Sequence, residues 1–137
     1  MKKQNIAVTV DAVIFYKKAE LLKILLIRRK NEPFRNQWAL PGGFLEEEEG
    51  LEEGAKRELE EETGLKIEKL QQVGAFGTPG RDPRGRTISI AFVGLMDYEA
   101  KLKANDDAID VKWFDKNDLP DLAFDHSEII NAGSVLL

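Results

Sequence analysis

Apolar residues fall into two kinds of pattern along this chain. From Ile6 to Tyr16, IAVTVDAVIFY is dense in β-branched and aromatic residues and reads as a strand. Lys17 to Glu20 make a polar turn, and Leu21 to Arg28 read as a second strand, its hairpin partner. Ile67 to Phe76 and Thr87 to Tyr98 are strand-like too. The latter begins by alternating and becomes continuously apolar, as a central strand does. After an acidic turn at Ala104 to Asp107, Ile109 to Phe114 reads as a last strand. Pro120 then breaks the chain, and Asp125 stands where it would N-cap a short helix from His126 to about Ala132.

The second pattern, helical spacing, lies between Gly50 and Gly64. Gly50 is an acceptable N-cap, Glu52 and Glu53 suit the positive end of the helix dipole, and Gly64 is the expected residue just past the C-terminus. At about 100° per residue, Leu51, Ala55 and Leu59 define the buried side, with Glu52, Lys56 and Glu60 opposite in solvent. Glu58 and Glu62 project beside the apolar stripe, Glu61 lies one position further round, and Arg57 is next to it. Before the helix, Pro41-Gly42-Gly43 reads as a tight turn. Its glycines adopt backbone angles closed to other residues and let bare peptide groups approach a ligand.

That arrangement has a chemical consequence. Carboxylates at i, i+3 and i+4 have Cβ atoms roughly 5–6 Å apart and repel, more so if partly buried. Arg57 balances one of the three charges, at i, i+4 to Glu61. A hard divalent cation is the economical way to hold the rest, and Mg²⁺ takes carboxylate oxygens while keeping waters and substrate phosphates. The plainer alternative is a solvated acidic helix.

Charge supports the cation. Between Glu46 and Glu62 stand ten glutamates against Lys56 and Arg57, a local charge of −8 in a chain whose total is −5. The acidity is therefore local and argues against general nucleic-acid affinity. At 137 residues the chain fits one domain, 1–137. With no cysteine there is no disulfide, thiolate metal site or cysteine nucleophile. No apolar run is long enough to span a bilayer, and MKKQN leads directly into a strand, so a cytoplasmic protein is expected.

The residues from Gly43 onward read Gly43, five residues, Glu49, seven residues, Arg57-Glu58-Leu59-x-Glu61-Glu62-x-Gly64-Leu65. This resembles the complete Nudix box, G-x5-E-x7-R-E-U-x-E-E-x-G-U with U aliphatic, at every fixed position. The resemblance implies hydrolysis of a nucleoside diphosphate linked to another group. It also implies an α/β fold, an α/β/α sandwich with a mixed, mostly antiparallel sheet; pattern alone gives only α+β. By the same resemblance Glu58, Glu61 and Glu62 bind Mg²⁺ or Mn²⁺, two or more ions, with a backbone ligand from the glycine turn at Gly42. Catalytic roles fall to Glu61, Arg57 and Glu49, Arg57 orienting a glutamate of the box. Glu61 is one candidate for the general base, and Glu46, Asp106 and Asp107 are others from outside the helix.

Further signals concern the substrate. Arg28, Arg29 and Lys30 close the second strand, and Arg29 is a candidate phosphate contact if the strand ends beside the glycine turn. Glu46 is a second candidate contact. Trp38 reads as core, while Phe34, if exposed, would meet an adenine. The loop Gly77-Thr78-Pro79-Gly80-Arg81-Asp82-Pro83-Arg84-Gly85-Arg86 is stiff and basic. A proline this far past the box, within R-D-P-R, is similar to the pattern in ADP-ribose pyrophosphatases. Arg81 and Arg84 are thus expected to read a distal phosphate. His126, the single histidine, reads as a surface residue at a helix start. The expected partner is a nucleotide, with no nucleic acid and no membrane, and with a homodimer left open. Three readings follow: an ADP-ribose hydrolase, a Nudix enzyme for another nucleotide (a triphosphate, dinucleoside polyphosphate or nucleotide sugar), and a non-catalytic nucleotide-sensing module.

Overall fold

A computed structural model describes residues 3–105 and 108–137. Asp106 and Asp107, the two candidate bases of the acidic turn, lie outside the described residues. The chain runs β1 (Ala7–Lys18), β2 (Leu21–Arg29), β3 (Trp38–Ala39), β4 (Gly42–Phe44), α1 (Leu51–Thr63), β5 (Gln71–Phe76), β6 (Thr87–Met96), β7 (Ala108–Asp115) and α2 (His126–Ser134).

All the strands join one sheet, in the order β3-β2-β1-β6-β5, with β4 added to β1 and β7 to β2. β1 and β2 form the expected hairpin, Phe15 opposite Ile24. β1 pairs parallel with β6 from Ala7–Thr87 to Tyr16–Met96. The other described pairings, β1 with β2 and β4, β2 with β3 and β7, and β5 with β6, are antiparallel. The sheet is mixed and mostly antiparallel, as the resemblance implied.

β1 lies between two layers, and its alternation shows both. Val10, Ala12, Ile14 and Tyr16 pack with Ala55 and Leu59 of α1, whereas Val13 and Phe15 pack with Ile129 and Ile130 of α2. The result is an α/β/α sandwich. A strand covered on both faces has no solvent side, which is why this segment is apolar almost throughout. Asp11 interrupts that run and is buried all the same.

Several boundaries differ from the expectation. The segment from Ile67 is not strand until Gln71; it lacks a paired neighbour there, and pairing with β6 defines the strand. Leu51, expected on the buried side of α1, is exposed. Gly50 and Gly64 do bound the helix, Gly64 in the left-handed region at φ 75° with its N–H donating to the Glu60 carbonyl. Asp125 precedes α2 but makes no side-chain cap, its carboxylate being engaged elsewhere. Trp38 is half-buried and meets Phe114 edge-on, 4.7 Å between ring centres.

Candidate active site

A cavity of about 300 Å³ opens where β4, α1, the 77–86 loop and the start of α2 meet. Its lining carries both signs: Asp11, Glu58 and Glu62 on the side of β4 and α1, and Arg29, Arg81 and Arg84 with the acids Glu32 and Asp82 among them on the other. Phe44 and Phe124 also line it, and the guanidinium of Arg84 lies 4.8 and 5.5 Å from their ring centres. Phe34 stands behind Phe124, 4.8 Å between ring centres.

The acidic side is built by α1 against β4. Gly42 and Gly43 are not in a turn of unusual backbone angles; they are strand residues paired with Asp11 and Val10. Their small size serves close approach instead. A Cβ on Gly42 would overlap the Asp11 carboxylate and the Val10 carbonyl, and one on Gly43 would stand 2.6 Å from Glu58 Oε1. Glu62 is buried and accepts the Gly42 N–H at 2.7 Å. The carboxylates thus touch the backbone that precedes their own helix.

Arg57 organises the rest of the box. Its Nε and Nη2 each donate to Glu49 at 2.8 Å, one to each carboxylate oxygen. Nη1 donates to Glu58 at 2.9 Å and Glu61 at 3.1 Å, and Nη2 also to the Phe44 carbonyl at 3.2 Å. The fork on Glu49 holds that carboxyl down at about 2. Glu58 shifts the other way: burial pushes its carboxyl up, with Arg57 only partly offsetting this and Glu61 and Glu49 adding repulsion. Arg57 itself is held above its usual range, chiefly by Glu49.

Glu61 is the most exposed of the three box carboxylates and lies outside the cavity lining. Glu46 is exposed as well, 3.5 Å from Arg57 and away from the cavity. Among the described residues, no three acids already converge as a cation cage. Glu58 and Glu61 face Arg57, and Glu62 faces the Gly42 amide. The donor set nevertheless fits a hard divalent ion: Glu58 is desolvated beside like charges, and a cation would relieve both penalties.

On the basic side, Arg29 donates from Nε to the Pro33 carbonyl at 2.8 Å and lies 5.1 Å from the Phe124 ring centre. Arg81 does reach the cavity, but its fork is on Asp125, at 2.9 and 2.7 Å, and its side chain is only 4% exposed. Burial opposes charge on both partners, and their mutual bonding outweighs it, raising Arg81 and lowering Asp125. Arg84 pairs within its own loop, donating from Nη2 to Asp82 Oδ2 at 2.8 Å, and remains 39% exposed.

His126 corrects the surface reading. It is 4% exposed, and its Nδ1 accepts the Leu40 N–H at 2.9 Å. Nε2 stands 3.7 Å from Asp11 Oδ1, while Ser89 Oγ donates to Asp11 Oδ2. Burial pushes the imidazole below its ordinary value, against the pull of Asp11 and Asp125. Asp11 itself was missed by sequence reasoning. The available signal was a lone carboxylate inside an otherwise apolar strand, VTVDAVIFY.

The NUDIX domain family matches residues 5–132 of the chain. This protein belongs to the Nudix family. The Nudix chain is 50% identical over 124 residues to the ADP-ribose pyrophosphatase of Methanocaldococcus jannaschii, covering 90% of this chain and 70% of that one. It is 37% identical over 126 residues to the ADPR responsive transcriptional repressor NtrR of Acinetobacter baylyi, covering 89% of this chain and half of the repressor. Among solved structures, the NUDIX domain of Shewanella oneidensis NrtR complexed with ADP ribose superposes with a TM-score of 0.90. That pair is 35% identical, over 98% of this chain and 90% of that one. A MutT/nudix family protein from Enterococcus faecalis also gives 0.90 at 36% identity, this Nudix chain covering 62% of its length.

Proposed function

We propose that this Nudix domain hydrolyses the pyrophosphate bond of ADP-ribose, giving AMP and ribose 5-phosphate, with Mg²⁺ or Mn²⁺ as cofactor. One observation carries the reading: a single cavity joins the box carboxylates Glu58 and Glu62 to an arginine wall of Arg29, Arg81 and Arg84. A substrate whose two bridged phosphates lie between a nucleoside and a ribose brings its charge to the middle of such a cavity, between the carboxylates with their cation and the arginines. The 50% identical pyrophosphatase and the ADP-ribose complex of a similar domain support the choice of substrate.

Glu58 and Glu62 would hold the cation, joined by Glu61 from the rim and by backbone at Gly42. Bound there, the ion would neutralise pyrophosphate charge and acidify a water. The chain's own residues do the positioning. Arg57 fixes Glu58 and Glu61 from one guanidinium while Glu49 fixes Arg57, and the Gly42 N–H fixes Glu62. The arginine wall receives the ribose-side phosphate of the pyrophosphate, Arg84 being the more exposed of the loop pair. Phe44 and Phe124 offer apolar faces to a base or sugar. Water oxygen bonds to one phosphorus, the bridging P–O bond breaks, and the proton leaves to a carboxylate. Glu61 is the described candidate for that role, alongside Asp106 and Asp107.

The experiment is release of AMP from ADP-ribose, with and without Mg²⁺, beside a nucleoside triphosphate and a dinucleoside polyphosphate. The expected outcome is metal-dependent AMP release fastest with ADP-ribose. A second reading, binding of ADP-ribose without hydrolysis, is favoured by the similarity to NtrR. Saturable ADP-ribose binding with no AMP released under any metal would select it.

A further inference from the structure

The box helix supplies the carboxylates, yet the backbone they rest on is held from the α2 layer by a residue outside the box. We propose that His126, at the start of α2, is a positioning residue for the Leu40–Gly43 segment that carries the metal-side backbone. This inference rests on the proposed metal site at Glu58 and Glu62.

Leu40 is 2% exposed and lies between β3 and β4, where neither sheet neighbour takes its N–H. His126 Nδ1 takes it, at 2.9 Å and 86 positions away in sequence. Because Nδ1 accepts, a neutral ring carries its proton on Nε2, the nitrogen facing Asp11 Oδ1. Asp11 in turn is fixed by Ser89, and its Cα is paired in register with Gly42. Leu40 is therefore bonded to the imidazole, and Gly42, two residues on, pairs with the Asp11 that stands 3.7 Å from its other nitrogen. Gly42 hands that constraint on, since its N–H holds Glu62.

The neighbouring residue makes the same turn of α2 serve the other wall. Asp125 holds Arg81 by both oxygens. The start of α2 thus grips the acidic side through His126, and Asp125 just before it grips the basic side. Misplacement of such supports by about half an ångström is felt in catalysis.

The single histidine makes the test direct. Asparagine places its amide oxygen near the position of Nδ1, whereas glutamine reaches toward Nε2. His126→Asn should keep Mg²⁺ affinity, measured by calorimetry, within about threefold of the unaltered protein. His126→Gln should weaken it by about tenfold and lower kcat for ADP-ribose more than it raises KM. Equal Mg²⁺ affinity in the Asn and Gln proteins overturns the inference. A second measurement needs no variant: in the ¹⁵N-histidine-labelled protein, the imidazole should show unprotonated Nδ1 and protonated Nε2, with signals that move on Mg²⁺ saturation. A protonated Nδ1, or signals indifferent to Mg²⁺, also overturns it. If the unaltered protein binds no Mg²⁺ at all, it is the metal-site reading that fails.

Discussion

Arg81 and Arg84 stand three positions apart in one loop and are held in different ways, so their substitutions should separate. Removing Arg81 leaves the Asp125 carboxylate half-buried without its partner. Arg81→Ala should cost on the order of 3 kcal/mol of stability, read as a lower urea midpoint at unchanged slope. Arg84 holds the buried Asp82 carboxylate of its own loop but stays 39% exposed at the cavity, so Arg84→Ala should lower the melt as well, and the two substitutions separate in substrate binding. Arg84→Ala should raise KM for ADP-ribose roughly ten- to a hundredfold, the scale of a charge-assisted hydrogen bond at ~1.5–3 kcal/mol. An Arg84→Ala protein with unaltered KM would remove that residue from substrate binding. On α1 the contrast is between Glu62, buried on the Gly42 amide, and Glu60, exposed on the far face. Glu58→Gln and Glu62→Gln should each lower kcat by orders of magnitude and Glu60→Gln hardly at all. Equal losses at 60 and 62 would refute the assignment. The sequence disclosed which side chains carry charge but not whom they meet. Asp125 lies 44 positions from Arg81, and no local spacing rule connects them.

α1 is the element where chain order and chemistry agree most closely, because everything in it is local: the bounding glycines, the i, i+4 contact of Arg57 with Glu61, the carboxylates sharing an edge. Its position on the sheet is what the local signals omit. Gly42 and Gly43 look like a turn in sequence and are a strand in space, since pairing with β1 is decided by residues thirty positions earlier. The carboxylates around Arg57 of this helix carry two opposite pH responses. Glu49 is held at about 2, below its ordinary 4.5, so its stabilising contact with Arg57 is fully present above pH 4.5 and fades as pH falls towards 2. The difference in melting temperature between the unaltered protein and Glu49→Gln should therefore shrink over that window. Glu58 is raised, so its ionised form works against folding, and that penalty is relieved as pH falls. Without metal at neutral pH, Glu58→Gln should melt no lower than the unaltered protein. Mg²⁺ at 100 times its Kd should add about 2.7 kcal/mol to the unaltered protein. Little of that increment should survive in Glu58→Gln/Glu62→Gln. An unaltered melt with saturating Mg²⁺ would mean that these acids form no cation site.

At the scale of the whole molecule, the cavity exists because three separate parts of the chain are brought to one end of the sheet: β4 with α1, the 77–86 loop, and the first turn of α2. The strands were visible in sequence through their β-branched runs, but the parallel pairing of β1 with β6 was not, because periodicity says which face is buried and not which neighbour covers the edge. That pairing has a consequence for how the protein comes into being. During synthesis Ala7–Lys18 emerges long before Thr87–Met96, and until then β1 has only its hairpin partner β2 and the short β4. Its eight consecutive buried residues, Thr9 to Tyr16, must wait with one long edge unpaired while some seventy further residues are added. At about 5–20 residues per second that is a delay of several seconds, spent exposing an apolar strand of the kind that recruits holding chaperones. Ribosome-bound chains arrested before Met96 should accordingly be digested rapidly by protease, and chains extended past α2 should resist it.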